Sequence, residues 1–109
     1  MAYNKEKAKK ELQKRFGNKV KELREARKMN KTEFGDLMGK DIQQVSKIEN
    51  GVYNIGMFTQ VEIALALGVK MGDLFDFEIN DLLPAYYNKG NTIAEKGKKQ
   101  LSSSTKGRK

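Results

Sequence analysis

Two N-terminal capping signals, Asn30 and Asp41, with a glycine between them constrain this chain more than anything else in its sequence. Asn30-Lys31-Thr32-Glu33 has the form of a capping box: the Asn30 side chain accepts from the first amides of a helix while Glu33 reaches back to the amide of Asn30. Asp41, with Gln44 three residues later, repeats the device. Gly39 is free to take a positive φ at a helix C-cap, so it stops the first of the two helices, and only Lys40 lies between that stop and the next cap. The chain therefore makes two short helices, one carrying Phe34, Leu37 and Met38, the other running from Ile42 to Asn50-Gly51. Joined this tightly they cannot lie antiparallel and must cross steeply.

N-terminal to this pair, strong helix formers run from Glu6. Leu12, Phe16, Val20 and Leu23 recur at spacings of four, four and three, the apolar stripe of a long first helix ending near Met29. Gly17 interrupts it and is the expected point at which an N-terminal extension bends away. After a polar turn at Asn54, Met57 to Leu67 reads as a fourth helix ended by Gly68, with Met57, Ile63, Ala64 and Leu67 facing the core, and Met71 to Phe75 as a short fifth. Phe75, Phe77 and Ile79 then alternate with Asp76, Glu78 and Asn80, the period of a half-buried strand, and Pro84 closes that region. From Asn88 the chain turns to Lys, Gly, Ser and Thr with almost no large apolar residue, too little to offset its ordering entropy, and disorder is expected.

With 109 residues there is room for one modest core. The absence of cysteine and histidine excludes disulfide frameworks, thiol nucleophiles and the commonest zinc sites, so neither a metal nor a cofactor is expected. No run has the length of a membrane span and Tyr3-Asn4-Lys5-Glu6 is no signal peptide, which places the chain in the cytoplasm. The net charge of +8 is divided unevenly: Met1 to Met29 carries +7, Asn30 to Tyr87 carries −5 and Asn88 to Lys109 carries +6. Basic ends fit the phosphate backbone of a nucleic acid, and they equally fit a solvated helix face and a solubilising tail.

Lys31 to Asn50 resembles the Cro and phage-repressor family of helix-turn-helix domains. The residues that carry the resemblance are Phe34-Gly35 in the first helix, Gly39 at the turn, Val45 and Ile48 facing inward, and Glu49-Asn50-Gly51. It extends from about Phe16 to Phe75, through Lys21-Glu22-Leu23-Arg24 and Ala64-Leu65-Ala66-Leu67-Gly68-Val69. Gly35 lies where the two helices approach, so a small side chain permits their crossing. The resemblance implies an all-α fold: a compact five-helix, repressor-like helix-turn-helix domain with an extended N-terminal helix, a candidate short strand after the fifth helix and a disordered basic C-terminal tail. Its expected divisions are a basic helical extension at 1–15, the DNA-binding domain at 16–76, a dimerisation or docking segment at 77–87 and the tail at 88–109.

The free face of the third helix offers Ile42, Gln43, Ser46 and Lys47. Gln pairs bidentately with adenine in the major groove, Lys donates to guanine and Ile packs on a thymine methyl. The resemblance implies base contacts from Ile42, Gln43 and Lys47, with Gln44 and Ser46 depending on the docking angle. Ile42 replaces the polar residue more usual in the family. Phosphate contacts are expected from Lys31, from Thr32 and the other free amides after Asn30, and by resemblance from the amide and side chain of Asn50. Arg24 and Glu49 are implied to form an ion pair tying the first helix to the third.

A unit of this size reads one half-site, and the family commonly acts as a two-fold dimer on double-stranded DNA. Phe58, Val61 and Leu65 form a second apolar stripe on the fourth helix, which needs its own cover. The cover is either the partner of a homodimer, with Phe75 and Phe77 contributing through strand pairing, or the Phe77 to Leu83 segment folded back within one chain. The expected function is a sequence-specific transcriptional regulator, a repressor by family. A protein-binding adaptor that uses the C-terminal segment stands as the alternative, since Lys31 to Asn50 holds three basic and four acidic residues. An enzyme is not expected, because no histidine, cysteine or paired carboxylates sit on an evident pocket.

Overall fold

In the computed structural model, which describes residues 4–82, the chain forms α1 (Lys5–Ala26), α2 (Lys31–Met38), α3 (Ile42–Glu49) and α4 (Met57–Leu67). Two 3-10 turns follow, Met71–Phe75 and Asn80–Leu82. The tail expected to be disordered, Pro84 and the end of the expected dimerisation segment lie outside the described residues.

Both capping boxes form. The Glu33 amide donates to Asn30 Oδ1 and the Asn30 amide to Glu33 Oε1, each at 2.8 Å; the Gln44 amide donates to Asp41 Oδ1 at 2.8 Å and the Asp41 amide to Gln44 Oε1 at 2.9 Å. Gly39 closes α2 at φ 69° and Gly68 closes α4 at φ 67°. A side chain at Gly35 would meet the carbonyl of Lys40 and stand 3.2 Å from Val45 Cγ2, so the crossing of α2 and α3 requires glycine there.

The core draws on every helix: Phe16 and Val20 from α1, Phe34 and Met38 from α2, Val45 and Ile48 from α3, Ile63, Ala64 and Leu67 from α4. Leu74 and the loop residue Ile55 complete it. Met57 does not belong to this core and is 76% exposed. It is the first residue of α4, beyond the end of the packed face, and Ile55 is buried just before it.

Three further expectations are corrected. α1 does not bend at Gly17; the glycine is buried where α1 crosses the end of α3, and a side chain there would meet the carbonyls of Glu49 and, at 2.6 Å, Ile48. α1 also ends at Ala26, earlier than Met29, because Lys28 adopts φ 57° and the amides of Lys28 and Met29 turn back to the carbonyls of Glu25 and Arg24. Finally, no strand forms from Phe75 to Ile79, and none occurs among the described residues. The fifth helix is a 3-10 turn. The Phe77 amide donates to the Phe75 carbonyl at 2.9 Å and Arg15 takes the Glu78 carbonyl at 2.8 Å, so these backbone groups bond locally and to α1 instead of to a neighbouring strand.

The segment after Phe75 does fold back, but onto α1 and not onto the second stripe of α4. Arg15 Nη1 and Nη2 hold the two carboxylate oxygens of Asp81 at 2.7 and 2.6 Å, and Arg15 Nε holds Glu11 at 2.9 Å. The paired guanidinium keeps the Asp81 carboxyl below the ordinary aspartate range. Phe75 rests on Phe16 with ring centroids 5.2 Å apart and on Phe77 at 6.3 Å. Phe58, Val61 and Leu65 are left exposed.

Candidate nucleic-acid interface

The amphipathic pattern of α3 decides which side chains are available. Val45, Ile48 and Glu49 are buried, and the opposite face presents Gln43 and Lys47, one turn apart, followed by Asn50. Ile42 is 50% exposed at the first turn beside Gln44. Gln44 spends its Oε1 on the capping box, leaving its amide hydrogens for a partner. Ser46 is half-buried, and its hydroxyl accepts from Lys31 Nζ at 3.0 Å. A candidate phosphate ligand and a candidate base reader thus form one contact between α2 and α3, fifteen residues apart in the chain, for which no local sequence pattern exists.

At the start of α2 the capping box uses the amides of Asn30 and Glu33. Those of Lys31 and Thr32, at the first two helical positions, have no acceptor within the helix. Thr32 is exposed and Lys31 half-buried, its ammonium turned to Ser46 on α3. Asn50 is exposed, but its amide already donates to the Ser46 carbonyl at 2.9 Å, so its side chain is what it offers.

α3 is held by a buried ion pair. Arg24 Nε lies 2.6 Å from Glu49 Oε2 and Nη2 3.1 Å from Oε1, while Nη1 donates to the Met29 carbonyl at 2.8 Å. The hydrogen bonds that Arg24 donates to Glu49 hold the Arg24 pKa above its ordinary value, so the guanidinium stays charged although it is buried. A second clamp went unforeseen: Gln13 Nε2 donates to the Gly51 carbonyl at 3.1 Å, and Gly51 lies against the backbone of Lys14. Behind the interface, Lys40 reaches Glu62 at 3.4 Å and joins the α2–α3 turn to α4. Among the described residues there is no acidic cluster able to hold a metal and no helix long and apolar enough to cross a membrane.

Residues 20–74, the span containing this arrangement, match the helix-turn-helix family. The chain belongs to that family, in its Cro and phage-repressor branch. Among helix-turn-helix relatives it is 30% identical over 77 residues to the uncharacterized HTH-type transcriptional regulator y4wC of Sinorhizobium fredii, covering 71% of this chain and 54% of that protein. It thus spans about half the length of that relative. It is 36% identical over 62 residues to the control protein C.MunI of a Mycoplasma species, covering 56% of this chain and 84% of that one. Among solved structures, the restriction-modification controller protein C.AhdI of Aeromonas hydrophila superposes with a TM-score of 0.55 at 29% identity, over 57% of this chain and 90% of that chain.

Proposed function

We propose that this helix-turn-helix protein is a cytoplasmic, sequence-specific regulator of transcription that binds double-stranded DNA as a homodimer, reads the major groove with α3 and represses. The observation that carries the proposal is the outward face of α3, where Gln43 and Lys47 stand free on a helix fixed at its start by a capping box and at its end by the buried Arg24–Glu49 pair. A reading helix must be held rigidly while its polar face stays unspent, and α3 meets both conditions. Gln43 suits adenine, Lys47 guanine and Ile42 a thymine methyl, with Gln44 and Ser46 at the margins of the contact. Lys31, the amides of Lys31 and Thr32 and the Asn50 side chain suit phosphates on either side. Phe58, Val61 and Leu65 supply an exposed apolar face for the second copy. Two of the similar proteins are named as controllers, one of them of restriction-modification, and this favours control of such a locus as the setting.

The test is selection of duplex DNA from a random pool at near-physiological salt, with wild type and a Gln43→Ala, Lys47→Ala variant. Wild type should enrich a motif with two-fold symmetry that the variant loses or relaxes. A folded wild-type protein that enriches nothing would instead support the protein-binding adaptor.

A further inference from the structure

We infer that the N-terminal half of α1 is a second, sequence-independent DNA contact, in which Lys7, Lys10 and Lys14 form a ridge that grips the phosphate backbone beside the half-site read by α3. The inference rests on the DNA-binding reading above and adds a surface outside residues 20–74, the part that matches the family.

The first observation is a separation of charge around α1. Three of its four acidic residues are matched by a cation: Glu6 by Lys9 at 3.8 Å, Glu11 by Arg15 at 2.9 Å and Glu22 by Lys19 at 3.2 Å. Lys7, Lys10 and Lys14 are exposed and make no ion pair within the described residues. Spaced by three and four, they fall on one face of the helix, which Lys21 continues seven residues later. Between Lys7 and Lys14 the ridge runs about 10 Å at the α-helical rise per residue.

The second observation is where this face lies. Gly17 sets α1 against the last carbonyls of α3, and Gly51, the residue after Asn50, packs against the Lys14 backbone while Gln13 holds its carbonyl at 3.1 Å. The exposed face of α3 therefore passes from Lys47 through Asn50 and Gly51 directly to Lys14, with Lys10 and Lys7 one and two turns farther on.

The third observation is a deficit. Residues 31–50 hold three basic and four acidic side chains, so the reading unit brings no net positive charge to a polyanion. Phosphate neutralisation supplies essentially all of non-specific affinity and much of specific affinity. A regulator with an electrically neutral to acidic reading unit needs that contribution from elsewhere, and the unpaired ridge adjoins it.

The experiment measures affinity by fluorescence anisotropy over a range of salt, using full-length protein on its selected operator with ten or more flanking base pairs. Wild type is compared with Lys7→Gln, Lys10→Gln, Lys14→Gln, and with Lys5→Gln, Lys9→Gln, Lys19→Gln. The second variant removes the same charge from the opposite side of the same helix. At about 0.9 per neutralised phosphate, the ridge variant should lower the slope of log K against log salt by about two to three per subunit. It should also bind at least about ten-fold more weakly at low salt, with the preference among operator variants unchanged. The control variant should stay close to wild type. Equal effects from the two variants, or an unchanged slope in the ridge variant, would overturn the ridge while leaving α3 reading intact. A wild type that does not bind duplex DNA would overturn both.

Discussion

Arg24 and Glu49 form a two-pronged pair, Nε to Oε2 at 2.6 Å and Nη2 to Oε1 at 3.1 Å, and both side chains are buried between α1 and the end of α3. Neither ion is solvated, so each depends on the other for its charge to be tolerated. Removing one partner leaves an uncompensated buried charge, an effect of about 3–5 kcal/mol in comparable sites, whereas removing both with apolar residues of similar volume is often neutral. Arg24→Met and Glu49→Met should each lower the urea midpoint strongly, and the double variant should recover most of the loss. Arg24→Lys should not rescue, because an ammonium cannot reproduce the planar fork. Additive losses in the double variant would show that the two residues act independently.

The parts of the fold that were legible are those encoded within a few residues. Asn30 with Glu33 and Asp41 with Gln44 are local capping pairs, Gly39 stops a helix by its own backbone freedom, and both boundaries follow directly. The α3 face was legible for the same reason, since Val45 and Ile48 mark the buried side and leave Gln43 and Lys47 outside. What could not be read depends on distant partners. Arg15 and Asp81 meet across 66 residues, and that contact draws the Phe75 to Ile79 region onto α1. The aromatic alternation there suits a strand equally well until Phe16 is known to lie beneath Phe75. Met57 follows the helical spacing of Ala64 yet sits past the edge of the core, which periodicity alone does not mark.

Gly17 should be intolerant of a single methyl. Alanine is favoured over glycine by about 1 kcal/mol within a helix, yet here its Cβ would press on the backbone carbonyls of Ile48 and Glu49, which cannot swing aside as a flexible side chain would. Gly17→Ala should destabilise by about 1–3 kcal/mol, the range of over-packed sites. Gly72→Ala, where an added Cβ meets nothing within 4 Å, should be neutral or slightly stabilising. Thermal melts of the two variants decide it, and a stabilised Gly17→Ala protein would mean that α1 can move away from α3 freely.

The Arg15–Asp81 contact makes the attachment of the Asn80–Leu82 turn sensitive to acid. Arg15 lowers the Asp81 pKa below its ordinary value, so the contact adds stability above the pKa of the unfolded chain and loses it as pH falls through the lower folded value. The turn should therefore stay docked throughout the neutral range and release only in strong acid. Carboxyl-carbon NMR should show Asp81 titrating below ordinary aspartates, with the Arg15 Nη–H signals changing in the same step. Asp81→Asn should weaken docking at neutral pH and abolish that step. An Asp81 that titrates like a free aspartate would show the contact to be unformed in solution.

Phe58 lies on the outside of α4 at 74% exposure, with Leu65 at 76% seven residues on and Val61 between them. The segment that stood as the alternative cover for this stripe is anchored on α1 instead, through Asp81. In a two-fold interface each residue on the stripe is presented twice, so one new charge places two carboxylates in the same buried zone. Phe58→Glu should consequently raise the dimer dissociation constant by at least about 100-fold, since burying an unpaired charge and losing an aromatic anchor each cost more than 1 kcal/mol. Because no core residue touches water as a result, the helical content and melting of the monomer should stay close to wild type. Sedimentation equilibrium reads the outcome directly, and operator binding should weaken in parallel because a monomer grips one half-site. A dimer of undiminished strength would exclude this stripe from the interface.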